Sequence, residues 1–273
     1  MKLIGMIVPS VSNSFFSSLV SEVERFMFDR EYQTLICSSD NNAEKEKMAF
    51  SRLADLQVKG IICVSGLRSF PEDLLPIGFP LVWVDRVPKS ERKISWVVND
   101  DAAAMEKATE YLIEKGCKNI LLLPGYLAEH QESPRTEGYR RALLKHEIPW
   151  RQEFVLTRSG KDNSEVETEE LIRDALKKGI KIDGIITSSD RAAFGAMARL
   201  RSVGLYVPED VRLISFDNSP YSNMATPSIT ALDRKPKLLA EKACENLIAQ
   251  LNRANCISEN VIHVSLVERV STR

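Results

Sequence analysis

Short apolar runs alternate with longer stretches in which apolar residues recur every three or four positions. The runs predict strands at 2–8, 33–37, 60–64, 81–84, 95–98, 119–123, 153–157, 184–187, 211–216, 229–232 and 261–266. Most are apolar throughout, as strands covered on both faces of a parallel sheet require. Between them lie helical stripes. Phe15, Leu19, Val23 and Phe26/Met27 share one face behind a start cap at Ser12 or Asn13. A second helix follows Asn41-Asn42 and turns Ala49, Leu53 and Leu56 inward, and a third starts at Asn99-Asp100, aligns Ala104, Ala108 and Leu112, and stops at Gly116. Ser133-Pro134 has the chemistry of a cap followed by a first-turn proline, ahead of Tyr139, Ala142 and Leu143. Ser164 and Glu167 stand at capping-box spacing before Ile172, Ala175 and Leu176. Ser188 or Ser189 precedes Ala193, Met197 and Leu200, and a last helix from Pro236 aligns Leu239, Ala243, Leu247 and Leu251.

Strands alternating with helices of this length build βαβ units and parallel sheets. The cycle runs about four times before Asn99 and about four times after it. So many strands exceed a usual single open sheet. The expected fold is therefore α/β, with two doubly wound parallel-sheet lobes and a ligand cleft between them.

Composition narrows the class. Of 273 residues, 44% are hydrophobic and 27% charged, an ordinary globular balance. The formal net charge of −1 excludes a region built only to grip nucleic-acid phosphates. No run approaches the roughly 20 apolar residues a membrane span needs, and the opening 3–9 lacks the features of an export leader, so a cytoplasmic location is expected. The five cysteines are scattered without C-x-x-C spacing, which points to reduced core thiols and to no metal. No nucleotide-binding glycine loop, G-x-S-x-G or H-E-x-x-H occurs. His130, His146 and His263 share no liganding pattern, and only His130, in a polar loop, is a candidate ligand contact. No catalytic residue, enzyme activity or cofactor is expected.

Four segments fall just beyond the carboxyl ends of strands, where doubly wound sheets place ligands. Asn13, Phe15 and Phe16 open the first helix; Asn13 and Phe16 read as cap and core or as a polar and stacking surface, while Phe15 reads first as core. Arg135, after Ser133, sits at a helix start, where a cation gains nothing from the dipole, yet its fork suits hydroxyls or a carboxylate. Asp190, after Ser188-Ser189, is either a first-turn acid or a ligand group. Phe216-Asp217-Asn218 is either a turn or a ligand loop. Together they compose the polar and aromatic set that a polyol requires.

The order and spacing of these pieces resemble the LacI/GalR regulators, over nearly the whole chain. The resemblance lies in Ile4-Gly5-Met6-Ile7-Val8-Pro9, Ser12-Asn13-Ser14-Phe15-Phe16, Val58-Lys59-Gly60-Ile61-Ile62 and Val84-Asp85-Arg86. It continues through Arg135-x-x-Gly138-Tyr139, Asp190-x-x-Ala193-x-Gly195, Val207-Pro208-Glu209-Asp210-Val211, Phe216-Asp217-Asn218 and Ser271-Thr272-Arg273. It implies a type I periplasmic-binding-protein-like fold with lobes at 1–98 plus 231–259 and 99–230 plus 260–273, joined by three crossovers. It also implies effector contacts at Asn13, Phe16, Arg135, Asp190 and Asp217, with Asp85 in a loop that faces the cleft in some relatives. Ser14, Asn99-Asp100 and Arg234-Lys235 depart from the family's usual residues.

The function implied is an effector-sensing domain, controlling operator binding through a DNA-reading headpiece expected outside this chain. The effector is a sugar or sugar phosphate, and the assembly a homodimer without membrane contact. The rival is the solute-binding protein of a sugar ABC transporter, which shares the fold.

Overall fold

The computed structural model describes residues 2–125, 133–158, 164–252 and 256–273. In chain order it opens with β1 (Lys2–Val8), α1 (Ser14–Phe28), β2 (Tyr32–Ser38), α2 (Ala43–Asp55), β3 (Ile61–Cys63), β4 (Leu81–Val84) and β5 (Ser95–Asn99). Next come α3 (Asp101–Glu114), β6 (Ile120–Leu123), α4 (Pro134–Lys145), α5 (Ser164–Lys177), β7 (Gly184–Thr187) and α6 (Asp190–Ser202). The chain finishes with β8 (Arg212–Asp217), α7 (Pro220–Met224), β9 (Thr230–Asp233), α8 (Pro236–Asn252), β10 (Glu259–Ile262) and β11 (Ser265–Val267). Two sheets result, ordered β10-β5-β4-β3-β1-β2 and β11-β9-β8-β7-β6. Their strands pair in parallel except for β11 on β9.

The continuous apolar runs are explained by burial on both faces. Along β1, Ile4, Met6 and Val8 join the layer under α1 and α8, while Ile7 joins Phe50 and Leu53 of α2 on the other face. Along β6, Ile120 and Leu122 pack with α3 and α4, whereas Leu121 and Leu123 pack with α5 and α6. Each fully buried side chain of this kind stabilises the fold by about 1.5–3 kcal/mol. Side chains of Asn13, Asn42, Asp100, Ser133 and Ser189 accept the first backbone N–H groups of their helices, each contributing about 1 kcal/mol. Cys63, Cys117 and Cys244 are buried free thiols, and burial pushes Cys117 up to about 11 and Cys244 up to about 12.

Two compact units form, Met1–Asn99 with Lys235–Ile262 and Asp100–Arg234 with His263–Arg273. The chain therefore passes between them three times, after Asn99, Arg234 and Ile262. These limits differ from the expected 231–259 and 260–273 because hydrogen bonding decides them. β9 pairs with β8, which keeps 231–233 in the second unit, Arg234 binds Asp217 of β8, and β10 pairs with β5, which keeps 260–262 in the first. The single strand expected at 261–266 is thus two strands in different sheets, with the passage at His263-Val264 between them.

Other expectations are corrected. The strand expected at 153–157 is a 3-10 turn over Gln152–Phe154, followed by one parallel bridge from Val155 to Leu122. The 3-10 turn takes up the start of the run and drops Phe154 into the core, which leaves one bridge to β6. Leu56 lies past the end of α2 and is exposed, and Phe50 takes the inward place. Ser164 is the first residue of α5 rather than its cap, and the Glu167 carboxylate accepts from Arg158 Nε at 3.1 Å. His130 and most of its polar loop lie outside the described residues.

Two glycines explain the G in two of the motifs. A Cβ at Gly138 would penetrate the carbonyl of Ala102 in α3, and one at Gly195 would penetrate that of Glu165 in α5. Backbone cannot yield as a side chain does. Gly138→Ala and Gly195→Ala are each expected to lower unfolding free energy in urea by at least about 2 kcal/mol. Gly116→Ala meets open space at a φ of +93° and costs only about 1 kcal/mol. Equal losses at all three positions would contradict this packing.

Candidate functional site

The polar residues singled out in the second unit cluster at the carboxyl ends of its strands. Arg135 stands in the first turn of α4, behind the Ser133 cap and Pro134. Its Nε donates to Asp101 Oδ2 at 2.8 Å, and its Nη1 donates to the Ser188 carbonyl at 3.3 Å. The guanidinium lies 3.8 Å from the ring centroid of Phe216, a buried residue of β8. These three restraints fix a side chain that would otherwise sample many rotamers.

Asp217 ends β8 with a φ of +105°, and Asn218 follows at +55°. Non-glycine residues seldom hold such angles unless their surroundings impose them. Arg269 supplies part of that surrounding, donating from Nη2 to Asn218 Oδ1 at 2.6 Å and from Nη1 to the Ile229 carbonyl at 2.7 Å. Asp217 is 5% exposed and Arg234 3%, and Arg234 Nη1 donates to Asp217 Oδ1 at 3.3 Å. Burial pushes the Asp217 carboxyl up to about 6; Asp190 adds to this, while the nearby Arg234 and Arg135 oppose it.

Asp190, expected as a ligand contact, is 1% exposed and committed within the lobe. Its Oδ1 accepts from Ser215 Oγ, and its Oδ2 accepts from Ser219 N at 2.7 Å and Ser219 Oγ at 2.5 Å. Burial raises its pKa against these donors. The carboxylate ties the start of α6 to the loop that leaves β8.

The first unit repeats the theme. Asn13 Oδ1 accepts from Phe15 N at 2.9 Å and Phe16 N at 3.3 Å, so its oxygen serves as the cap. Phe16 packs edge to face on Phe15 and is largely buried, with the Arg86 guanidinium 5.7 Å from its ring. Asp85 follows β4 in a left-handed conformation, φ +66°, with Oδ2 3.8 Å from Arg86 Nε. Arg86 Nη1 donates to Asn41 Oδ1 at 3.1 Å. Beneath these loops Glu46 is buried in α2 and accepts from Gly66 N at 2.7 Å and from Ser65 Oγ.

Known proteins resemble this chain in sequence and fold. A family model for the periplasmic binding protein-like domain matches residues 109–272. The ribose operon repressor of Halalkalibacterium halodurans is 29% identical, over 92% of this chain and 73% of its own length. Catabolite control protein A of Staphylococcus epidermidis is 31% identical, over 84% of this chain and 68% of its own. This chain belongs to the LacI family of transcription regulators. A periplasmic binding protein/LacI regulator from Alkaliphilus metalliredigens, solved with D-xylulofuranose, superposes with a TM-score of 0.87 at 28% identity, covering 100% of both chains.

Its relatives make the LacI-family chain an effector-sensing domain of a regulator rather than an enzyme or a transporter's binding protein. Among the described residues no helix is long and apolar enough to cross a membrane, and no His/Cys/Asp/Glu group is arranged to hold a metal. Within the second unit the fold brings Arg135 and Asp217 together around Phe216. Sequence reasoning missed Asp101 and Arg269, and it noted Arg234 only as a departure from the family pattern. The signal for Asp101 was hidden because an acid beside a helix cap already has an ordinary purpose.

An acid whose folded pKa is raised favours the fold while protonated. That contribution is complete below the ordinary value near 3.8 and is lost as pH rises through about 6. Between pH 4 and 7, urea unfolding should show wild type losing stability relative to Asp217→Asn as pH rises. Parallel profiles would count against a buried Asp217.

Proposed function

We propose that the chain senses a small hydroxyl-rich effector, a sugar or sugar phosphate, held between its two lobes. Asn13, Phe16 and Asp85 contact it from the first lobe, and Arg135 and Asp217 from the second. Asp190 belongs to the same site and acts by holding the β8 exit loop, since its own oxygens are already committed. A ligand bridging two lobes favours the state in which both sets of contacts are made, and only that difference in affinity shifts the equilibrium. In this reading the protein is a cytoplasmic homodimer, and lobe movement alters the spacing of DNA-reading headpieces outside these residues. A coupling of about 1–3 kcal/mol changes operator affinity roughly 5- to 150-fold.

The observation that carries this reading is Arg135, braced by Asp101, Ser188 and Phe216 at the carboxyl edge of the sheet. The relative solved with D-xylulofuranose supports a sugar-like ligand.

A thermal-shift screen of pentoses, hexoses and their phosphates tests it. A true effector at 100 times its Kd adds about 2.7 kcal/mol of stability. Arg135→Ala should abolish that gain while the unliganded protein keeps its circular dichroism. A variant that still binds would remove Arg135 from the site. Sedimentation equilibrium is expected to give a dimer, and a strict monomer at micromolar concentration would contradict the proposed assembly.

A further inference from the structure

We infer that the effector meets the second lobe through uncharged hydroxyl groups, and that Asp101 is the specificity-determining residue that rejects a phosphate or carboxylate there. This rests on the reading of Arg135 as a ligand contact and narrows the ligand class left open above.

An arginine alone at this place would favour an anion, whose two oxygens match its fork. Arg135 is not alone. Asp101 Oδ2 already takes its Nε at 2.8 Å, and the Ser188 carbonyl takes Nη1. The second oxygen of Asp101 is buried, and none of the described residues gives it a hydrogen bond. Ser188 Oγ, on the residue whose carbonyl holds Arg135, is buried and likewise has no hydrogen-bond partner among the described residues. An acid placed merely to complement the helix dipole of α3 would leave its oxygens in water. A buried carboxylate oxygen without a donor is a costly arrangement that asks for one.

The chemistry of the missing partner follows from the acceptor. An ionised carboxylate only accepts, so what it lacks is an O–H or N–H. A sugar hydroxyl can donate to Asp101 and accept from Arg135 through the same oxygen. A phosphate dianion can only accept, and it would lie against the negative charge of Asp101.

A second pair repeats the balance. Arg234 binds Asp217 at 3.3 Å, and its guanidinium lies 5.7 Å from the Phe216 ring that Arg135 also touches. Among these described residues two cations are matched by two carboxylates around one aromatic ring, a set with no net positive charge to offset stripping water from an anion.

The test compares D-ribose, D-xylulose, D-glucose and D-galactose with their phosphate esters by thermal shift and titration calorimetry. Wild type and Asp101→Asn, a near-isosteric change, are both measured. Wild type is expected to bind a neutral sugar at least about 10-fold more tightly than its ester. Asp101→Asn should lose about 10- to 100-fold in affinity for that sugar and narrow or reverse its preference over the ester. An ester that binds wild type as tightly as its parent sugar overturns the inference while the polyol reading stands. An Asp101→Asn protein with an unchanged preference overturns the role of Asp101. If no sugar or ester in the panel binds wild type, the polyol reading fails and this inference fails with it. The wild-type comparison decides the matter even if the variant folds poorly.

Discussion

A parallel strand delivers its chain to the carboxyl edge of the sheet, where the next helix begins with backbone N–H groups that nothing in the helix can pair. Short polar side chains must accept them. Asn13, Asp100, Ser133 and Ser189 do so here, each at the start of a helix. The same edge is where a doubly wound fold receives its ligand. One requirement of the backbone thus populates the binding edge with hydrogen-bonding groups before any ligand is considered. It also explains why a cap and a proposed contact can stand two residues apart, as with Ser133 and Arg135.

Charge at that edge is managed by two different means. Asp190 is satisfied by serine hydroxyls and a backbone N–H, which hold a carboxylate without adding a cation. Asp217 is matched to Arg234 instead, and burial still works against its ionised form. Breaking such a buried pair costs more than the pair contributes, because it strands the remaining charge. The left-handed corner at Asp217 and Asn218 then depends on Arg269, which reaches it from beyond β11. The buried Asp217 carboxylate is therefore held by a residue 17 positions away, and its corner by one still farther along the chain.

Much of the architecture was legible because burial on both faces leaves a direct trace. Runs such as 81–84 and 120–123 are apolar without interruption, and both became strands. The failures have physical causes. At 153–157 a 3-10 turn takes the start of the run, and at 261–266 an unbroken apolar-polar pattern concealed a change of sheet, which depends on long-range pairing and leaves no local mark. The candidate positions in the second unit were legible as a group at one sheet edge, and less so in what each side chain touches. Asp190 and Asp217 look alike in sequence, each an acid beside a strand or helix end. What separates them is whether a serine or an arginine arrives from elsewhere in the chain.

The three passages between units carry a consequence for synthesis. Neither lobe is a continuous stretch: α8 and β10 complete the first sheet and its core, while β11 and the buried Ser271 complete the second. Domains made of unbroken sequence fold one after another as they leave the ribosome. Here a nascent chain that stops at Arg234 lacks the edge strand and a covering helix of its first half and the closing strand of its second. Both halves are finished by residues after Arg234, so a chain terminated there yields no complete lobe.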